Sequence, residues 1–171
     1  MKYEEILKKL KSLADPESVK GMARYGINPR NNLGVSIYKL RPIAKEIGKD
    51  HELALKLWSS GIHDARLLAC FIEDPAKVTS EQMDSWAKDF DSWDVCDQAC
   101  TSLFDLTPLA WKKVFEWAKR DEEFVKRAAF SLIAGLAVHD KKANDKEFER
   151  FSPLMNKTPS GRFRASHLRQ R

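Results

Sequence analysis

The sequence predicts an all-α protein, built as a stack of paired helices. Three observations carry this expectation. Apolar residues recur at helical spacing along almost the whole chain, no alternating run is long enough to make a strand, and short tryptophan-bearing segments return at a period of roughly 30 residues.

Taken in order, helices are predicted over about Tyr3 to Leu13, Glu17 to Tyr25, Ser36 to Ile47, His51 to Ser59 and His63 to Ile72. They continue over about Ser80 to Phe90, Asp94 to Asp105, Pro108 to Lys119, Glu122 to Val138 and Asp145 to Leu154. Gly48, Gly61, Pro75 and Pro108 fall between these segments, and Ser80 and Thr107 are natural caps. Thr107-Pro108 is a good helix start. Pro42 falls about two turns into its segment and predicts a late start or a kink there, because an interior proline costs about 3 kcal/mol.

Laid over one another, the segments align. Leu57-Trp58-Ser59, Ser85-Trp86-Ala87 and Glu116-Trp117-Ala118 each end a helix, and each is followed after a short turn by another. Within those second helices, the stretches 65–71, 96–102 and 126–132 align without gaps. Helix pairs at this period predict an α-solenoid of HEAT type, a right-handed superhelical stack whose second helices line one concave face. One charged position recurs in them, occupied by Arg66, Asp97 and Arg127, so a carboxylate is expected between two guanidinium groups. Such a row reads either as a structural salt-bridge ladder or as a site.

Composition narrows the function classes. The net charge of +5 lies entirely in Lys157, Arg162, Arg164, Arg169 and Arg171, so residues 1–156 are balanced and any nucleic-acid affinity of the body must come from charges sorted onto one face. Residues 1–156 are expected to form the repeat domain and 157–171 a basic, disordered tail without an apolar helical face. No apolar run approaches the roughly 20 residues of a membrane span, the charged N-terminus does not suit a secretory signal, and three cysteines form no disulfide framework. A cytoplasmic monomer is the expectation. His63 and Asp64 lack a second ligand pair at zinc-like spacing, so neither metal nor cofactor is expected.

Around the middle of the charged row, Trp93 and Asp97 stand four apart, which puts indole and carboxylate on one helix face if the helix begins near Trp93. A tryptophan at a helix start also reads as core filler. Here the chain resembles a known family. Ser92-Trp93-Asp94-Val95-Cys96-Asp97 is similar to the Trp-Asp-x-x-Asp segment of the AlkD-type DNA alkylation repair glycosylases. Phe124-Val125-Lys126-Arg127-Ala128-Ala129 resembles that family's Arg-Ala-Ala helix, and Gly21-Met22-Ala23-Arg24-Tyr25 its Met-Ala-Arg-Tyr stretch.

The resemblance implies a monofunctional glycosylase that excises cationic N3- or N7-alkylated purines from double-stranded DNA without drawing the base into a pocket. It implies Asp97 as the catalytic carboxylate, Trp93 against the deoxyribose and Arg127 holding the DNA. It also implies further helices with another aromatic residue and basic groups, whereas the helical pattern here ends after Phe151-Ser152-Pro153-Leu154-Met155.

The residue types suit that chemistry independently, because loss of a cationic base leaves an oxocarbenium-like sugar that a fixed carboxylate stabilises. At about 4 Å and an effective dielectric near 20 the attraction is about 4 kcal/mol, roughly a thousandfold in rate. The face of Trp93 favours a cationic sugar over a neutral one. Arg66 and Arg127 are expected to grip phosphates and keep Asp97 ionised, with Lys126 and Arg24 as further phosphate contacts. The alternative is a non-catalytic helical-repeat module that binds DNA or a protein partner.

Overall fold

In the computed structural model residues 1–156 are described, and every regular element among them is helical. The helices are α1 (Tyr3–Ser12), α2 (Pro16–Arg24), α3 (Ile37–Ile47), α4 (His51–Ser59), α5 (His63–Ile72), α6 (Ser80–Lys88), α7 (Trp93–Ser102), α8 (Ala110–Trp117), α9 (Glu123–His139), α10 (Asp145–Glu149) and α11 (Ser152–Asn156), with a 3-10 turn at Phe104–Leu106. The expected tail, 157–171, lies outside the described residues. Among the described residues no helix is long and apolar enough to cross a membrane.

Local chemistry sets most boundaries. Asp15 accepts from the backbone of Glu17 and Ser18 at the start of α2 with Pro16 as first helical residue, Asp50 caps α4 through Leu53, and Asn144 caps α10 through Glu147. At α6 the cap is Thr79, which accepts from Gln82, and not Ser80. Thr107 does not start a helix either. Its hydroxyl donates backwards to the Phe104 carbonyl, so the chain turns once more and α8 begins at Ala110. The segment expected to run to Asp105 breaks at Leu103 into the 3-10 turn, and the last segment divides into α10 and α11 around the buried Phe151.

Pro42 neither delays nor ends α3, which is bonded from Ser36 onward and carries the proline inside it. The carbonyl four residues back belongs to Tyr38, a strongly exposed residue, so water can supply the missing donor. Pro42→Ala is expected to stabilise the chain by about 1 kcal/mol, raising Tm by roughly 2–4 °C in a thermal melt.

The helices form two layers. In the first, α4, α6 and α8 are tied by the predicted tryptophans: Trp58 stacks on Trp86 with centroids 3.9 Å apart and planes 3° off parallel, and Phe104 bridges Trp86 to Trp117 at 6.1 and 6.0 Å. Lys113, 1% exposed, lies in this layer with its ammonium 2.7 Å from Asp84 and 3.0 Å from Glu116. Burial pushes the Asp84 carboxyl up, but hydrogen bonds from Lys113 and Trp117 outweigh it and hold the group below its ordinary range. In the second layer α5 packs on α7, and α7 on α9.

Small residues close the α7–α9 seam. Cys96, Ala99 and Cys100 of α7 and Ala128 and Ala129 of α9 are fully buried. The Cys96 thiol donates to the Phe124 carbonyl and the Cys100 thiol to that of Ala128, both at 3.5 Å. All three cysteines are buried and free, and burial raises the Cys70 and Cys100 thiols well above their usual range. The two sulfur contacts share one register, which carries each residue of α7 to a partner about thirty positions on.

Candidate active site

That register brings Asp97 against α9. Its Oδ1 accepts from Arg127 Nε at 2.9 Å and from the Ser131 hydroxyl at 2.6 Å, and its Oδ2 accepts from Arg127 Nη2 at 2.6 Å. The pair is bidentate and half-buried, with the two side chains 33% and 32% exposed, and the carboxylate raises the guanidinium above its ordinary range. Arg127 and Ser131 are one turn apart on α9, so a single helix face supplies all three donors.

Trp93 completes the cluster. As the first residue of α7 it stands one turn before Asp97, 37% exposed, and the Arg127 guanidinium lies 5.8 Å from its ring centroid. Its indole N–H donates to the Tyr25 carbonyl at 2.9 Å. Trp93, Asp97 and Arg127 are therefore together, as the spacing predicted.

Arg66 is not with them. The partners of Asp97 are Arg127 and Ser131, and the expected sandwich of one carboxylate between two guanidinium groups does not form. Arg66 lies over the Trp58 ring, 5.2 Å from its centroid, and donates to the Asp89 carbonyl at 3.0 Å and the Trp58 carbonyl at 3.5 Å. Both carbonyls end helices, where a cation meets groups without an intrahelical donor. Lys126 stays near the surface with its ammonium 3.9 Å from Asp121, and Arg24 is exposed at the end of α2, next to the Tyr25 that anchors Trp93.

The cluster is held from behind by contacts that helical spacing does not reveal. The loop between α2 and α3 crosses the starts of both α5 and α7. The Asn28 backbone N–H donates to the buried Ser92 hydroxyl at 2.9 Å, and its side chain to Asp91 at 2.8 Å. Asp64, fully buried, accepts from the backbone of Leu33 and Val35, both at 2.7 Å. His63 Nε2 donates to Asp94 at 2.8 Å, and the His63 backbone N–H reaches the Asn31 carbonyl at 2.9 Å. The pair His63 and Asp64, which the sequence offered only as a poor metal motif, thus fastens the loop carrying the Trp93 anchor. Ser131 was legible by the same one-turn rule that links Trp93 to Asp97. The role of Tyr25 was not, because it acts through its backbone.

With this geometry in view, comparison with known proteins places the chain. A family model described as DNA alkylation repair enzyme matches residues 6–158. The chain belongs to that family. It is also similar to two uncharacterized proteins, Lmo0209 of Listeria monocytogenes and Lin0241 of Listeria innocua, at 25% and 24% identity over 136 residues. The match takes in 77% of this chain, which spans 61% of the length of either relative. Among solved structures, it shares its fold with one described as a new family of proteins related to the HEAT-like repeat DNA glycosylases with affinity for branched DNA structures. The TM-score is 0.79 at 21% identity, over 93% of this chain and 70% of that one. The α-solenoid predicted from the repeat is thus the fold of this DNA alkylation repair family member.

Proposed function

We propose that this chain hydrolyses the N-glycosidic bond of cationic N3- or N7-alkylated purines in double-stranded DNA. The observation that carries the reading is the convergence of a carboxylate, an exposed indole and a guanidinium on one face of the α7–α9 seam, in a member of the DNA alkylation repair family. In this reading Asp97 stabilises positive charge on the sugar and orients water, and Trp93 lies against the deoxyribose.

Arg127 has a double duty. Nε and Nη2 hold Asp97, and Nη1 is left for a phosphate. Arg24 and Lys126 extend the phosphate contacts at the two borders of the cluster. Arg66 contributes indirectly by fastening the Asp89 carbonyl, four residues ahead of Trp93.

The test is release of 7-methylguanine and 3-methyladenine from methylated duplex DNA. Trp93→Leu is expected to slow release by up to about thirtyfold, the effect of losing a cation–π contact of up to about 2 kcal/mol, with a smaller change in affinity for undamaged duplex. Equal rates for the variant and the parent protein would remove Trp93 from the site.

A second reading is a module that binds DNA of particular shape without excising bases. The described affinity of the structural neighbour for branched DNA supports it, and so does the state of Asp97, which already accepts three hydrogen bonds. Tight binding of a four-way junction with no base release from methylated duplex would select this reading over the first.

A further inference from the structure

A second feature of the same helical layer lies one turn beyond the site. Thr101, whose hydroxyl donates to the Asp97 carbonyl, begins the wall of a cleft of about 380 Å³ lined by Arg41, Phe71, Ser102, Leu106 and His139. Its walls come from α3, α5, α7, the 3-10 turn and α9, so the whole layer contributes to it.

The cleft is lined by polar side chains, Arg41, Ser102 and His139 among them. Arg41 is exposed, lies over the Phe71 ring at 5.7 Å and has no ion-pair partner among the described residues. The Ser102 oxygen accepts from Gln98, which leaves its hydroxyl hydrogen to donate into the cleft. His139 is half-exposed in the last turn of α9, and its Nδ1 is fixed by the Asp105 carboxylate at 2.6 Å, leaving Nε2 for a ligand.

This pair is built into the helix. A Cβ on Gly135 would stand 2.5 Å from Asp105 Oδ2, so only glycine lets the buried carboxylate lie along α9 and reach the histidine one turn on. Glycine in a helix interior costs up to about 1 kcal/mol relative to alanine. That penalty is accepted where Asp105 needs the space.

We propose that the cleft between Arg41 and His139 is a second phosphate site, which holds one backbone phosphodiester of the DNA strand away from the Asp97 cluster. A guanidinium, an imidazole and a hydroxyl over apolar walls match a phosphate oxygen set flanked by a sugar. Arg127 and His139 are twelve residues apart on α9, about 18 Å along its axis. One phosphate cannot touch both, so the cleft adds a contact and fixes the direction in which the strand leaves the site. The inference rests on the chain's being a DNA binder, and not on its excising bases.

The test is fluorescence anisotropy of a labelled, undamaged duplex with Arg41→Gln, His139→Gln and the double variant, repeated across a salt series, with deoxyadenosine monophosphate as competitor. Each single variant is expected to weaken duplex binding about tenfold, the effect of one charge-assisted contact. The double variant should lose less than the product of the two and lower the salt slope by about 0.9, the signature of one phosphate. The mononucleotide should compete only weakly.

Arg41 is exposed and gives up only its contact over the Phe71 ring, so Arg41→Gln keeps the test valid even if His139→Gln melts early. An unchanged affinity and salt slope in a folded Arg41→Gln protein overturns the proposal. So does tight mononucleotide competition with no loss of duplex affinity in the variants, which would mark a free-nucleotide site. Absence of base release in the parent protein, with duplex binding still sensitive to Arg41, overturns the glycosylase reading and leaves the cleft standing.

Discussion

Asp97→Asn is expected to slow release of a methylated purine by roughly one hundred- to a thousandfold, while the chain stays folded and binds duplex DNA at least as tightly. The size follows from a charge balance. Alone, a carboxylate about 4 Å from the developing sugar cation contributes about 4 kcal/mol, but a guanidinium about 3 Å farther away cancels more than half of that. In the free protein the guanidinium paired with Asp97 is that of Arg127.

The full effect therefore requires that a DNA phosphate neutralise Arg127 when the substrate binds, which its free Nη1 edge permits. Asparagine keeps the shape and some of the hydrogen bonds but removes the charge, so the transition state loses about 3–4 kcal/mol. DNA affinity holds or rises, because a negative charge facing phosphates is gone. A purely structural salt bridge predicts another pattern, in which Tm falls and any base release tracks the folded fraction. Since the pair is a third exposed, that loss of stability is at most about 1 kcal/mol. Melting, duplex affinity and base release measured on one preparation separate the two, and a folded Asp97→Asn protein with undiminished release would exclude Asp97 from the chemistry.

Asp64→Ala carries the largest expected loss of stability, about 3–4 kcal/mol, seen as a fall in Tm of roughly 8–15 °C. Alanine leaves the backbone N–H groups of Leu33 and Val35 without their acceptor, and hydrogen bonds to a charged group are worth about 1.5–3 kcal/mol each. The damage reaches the site through the chain. The loop so released also carries Asn28 to Ser92 and leads from Tyr25, whose carbonyl holds the Trp93 indole. Base release measured well below the new Tm should therefore fall as well. Asp64→Asn, which keeps one oxygen acceptor, should lose roughly half as much stability; a melt showing Asp64→Ala within about 1 kcal/mol of the parent would mean that the loop is held by other contacts.

The sequence by itself determined the helices and the order of the stack. An amphipathic helix is set by which residues follow one another at three and four positions, and equivalent places in successive repeats become neighbours whenever helix pairs stack. That logic placed Trp58 on Trp86, set α7 beside α9, and put Asp97 opposite Arg127 thirty residues away. Two of the three family motifs, at 92–97 and 124–129, lie on that same register.

Only the tertiary structure decided which members of the charged row would meet. Arg66 occupies the equivalent place in its repeat, yet a long, flexible side chain takes the nearest set of acceptors, and two helix ends offered their carbonyls first. It also decided that Lys113, drawn into the aromatic layer by its apolar stem, would be buried between Asp84 and Glu116. Above all it decided the path of the loop between α2 and α3. Its hold on Trp93, Ser92, His63 and Asp64 uses backbone groups as much as side chains, and a backbone N–H or carbonyl is the same in every residue, so no sequence pattern could announce where those bonds would form.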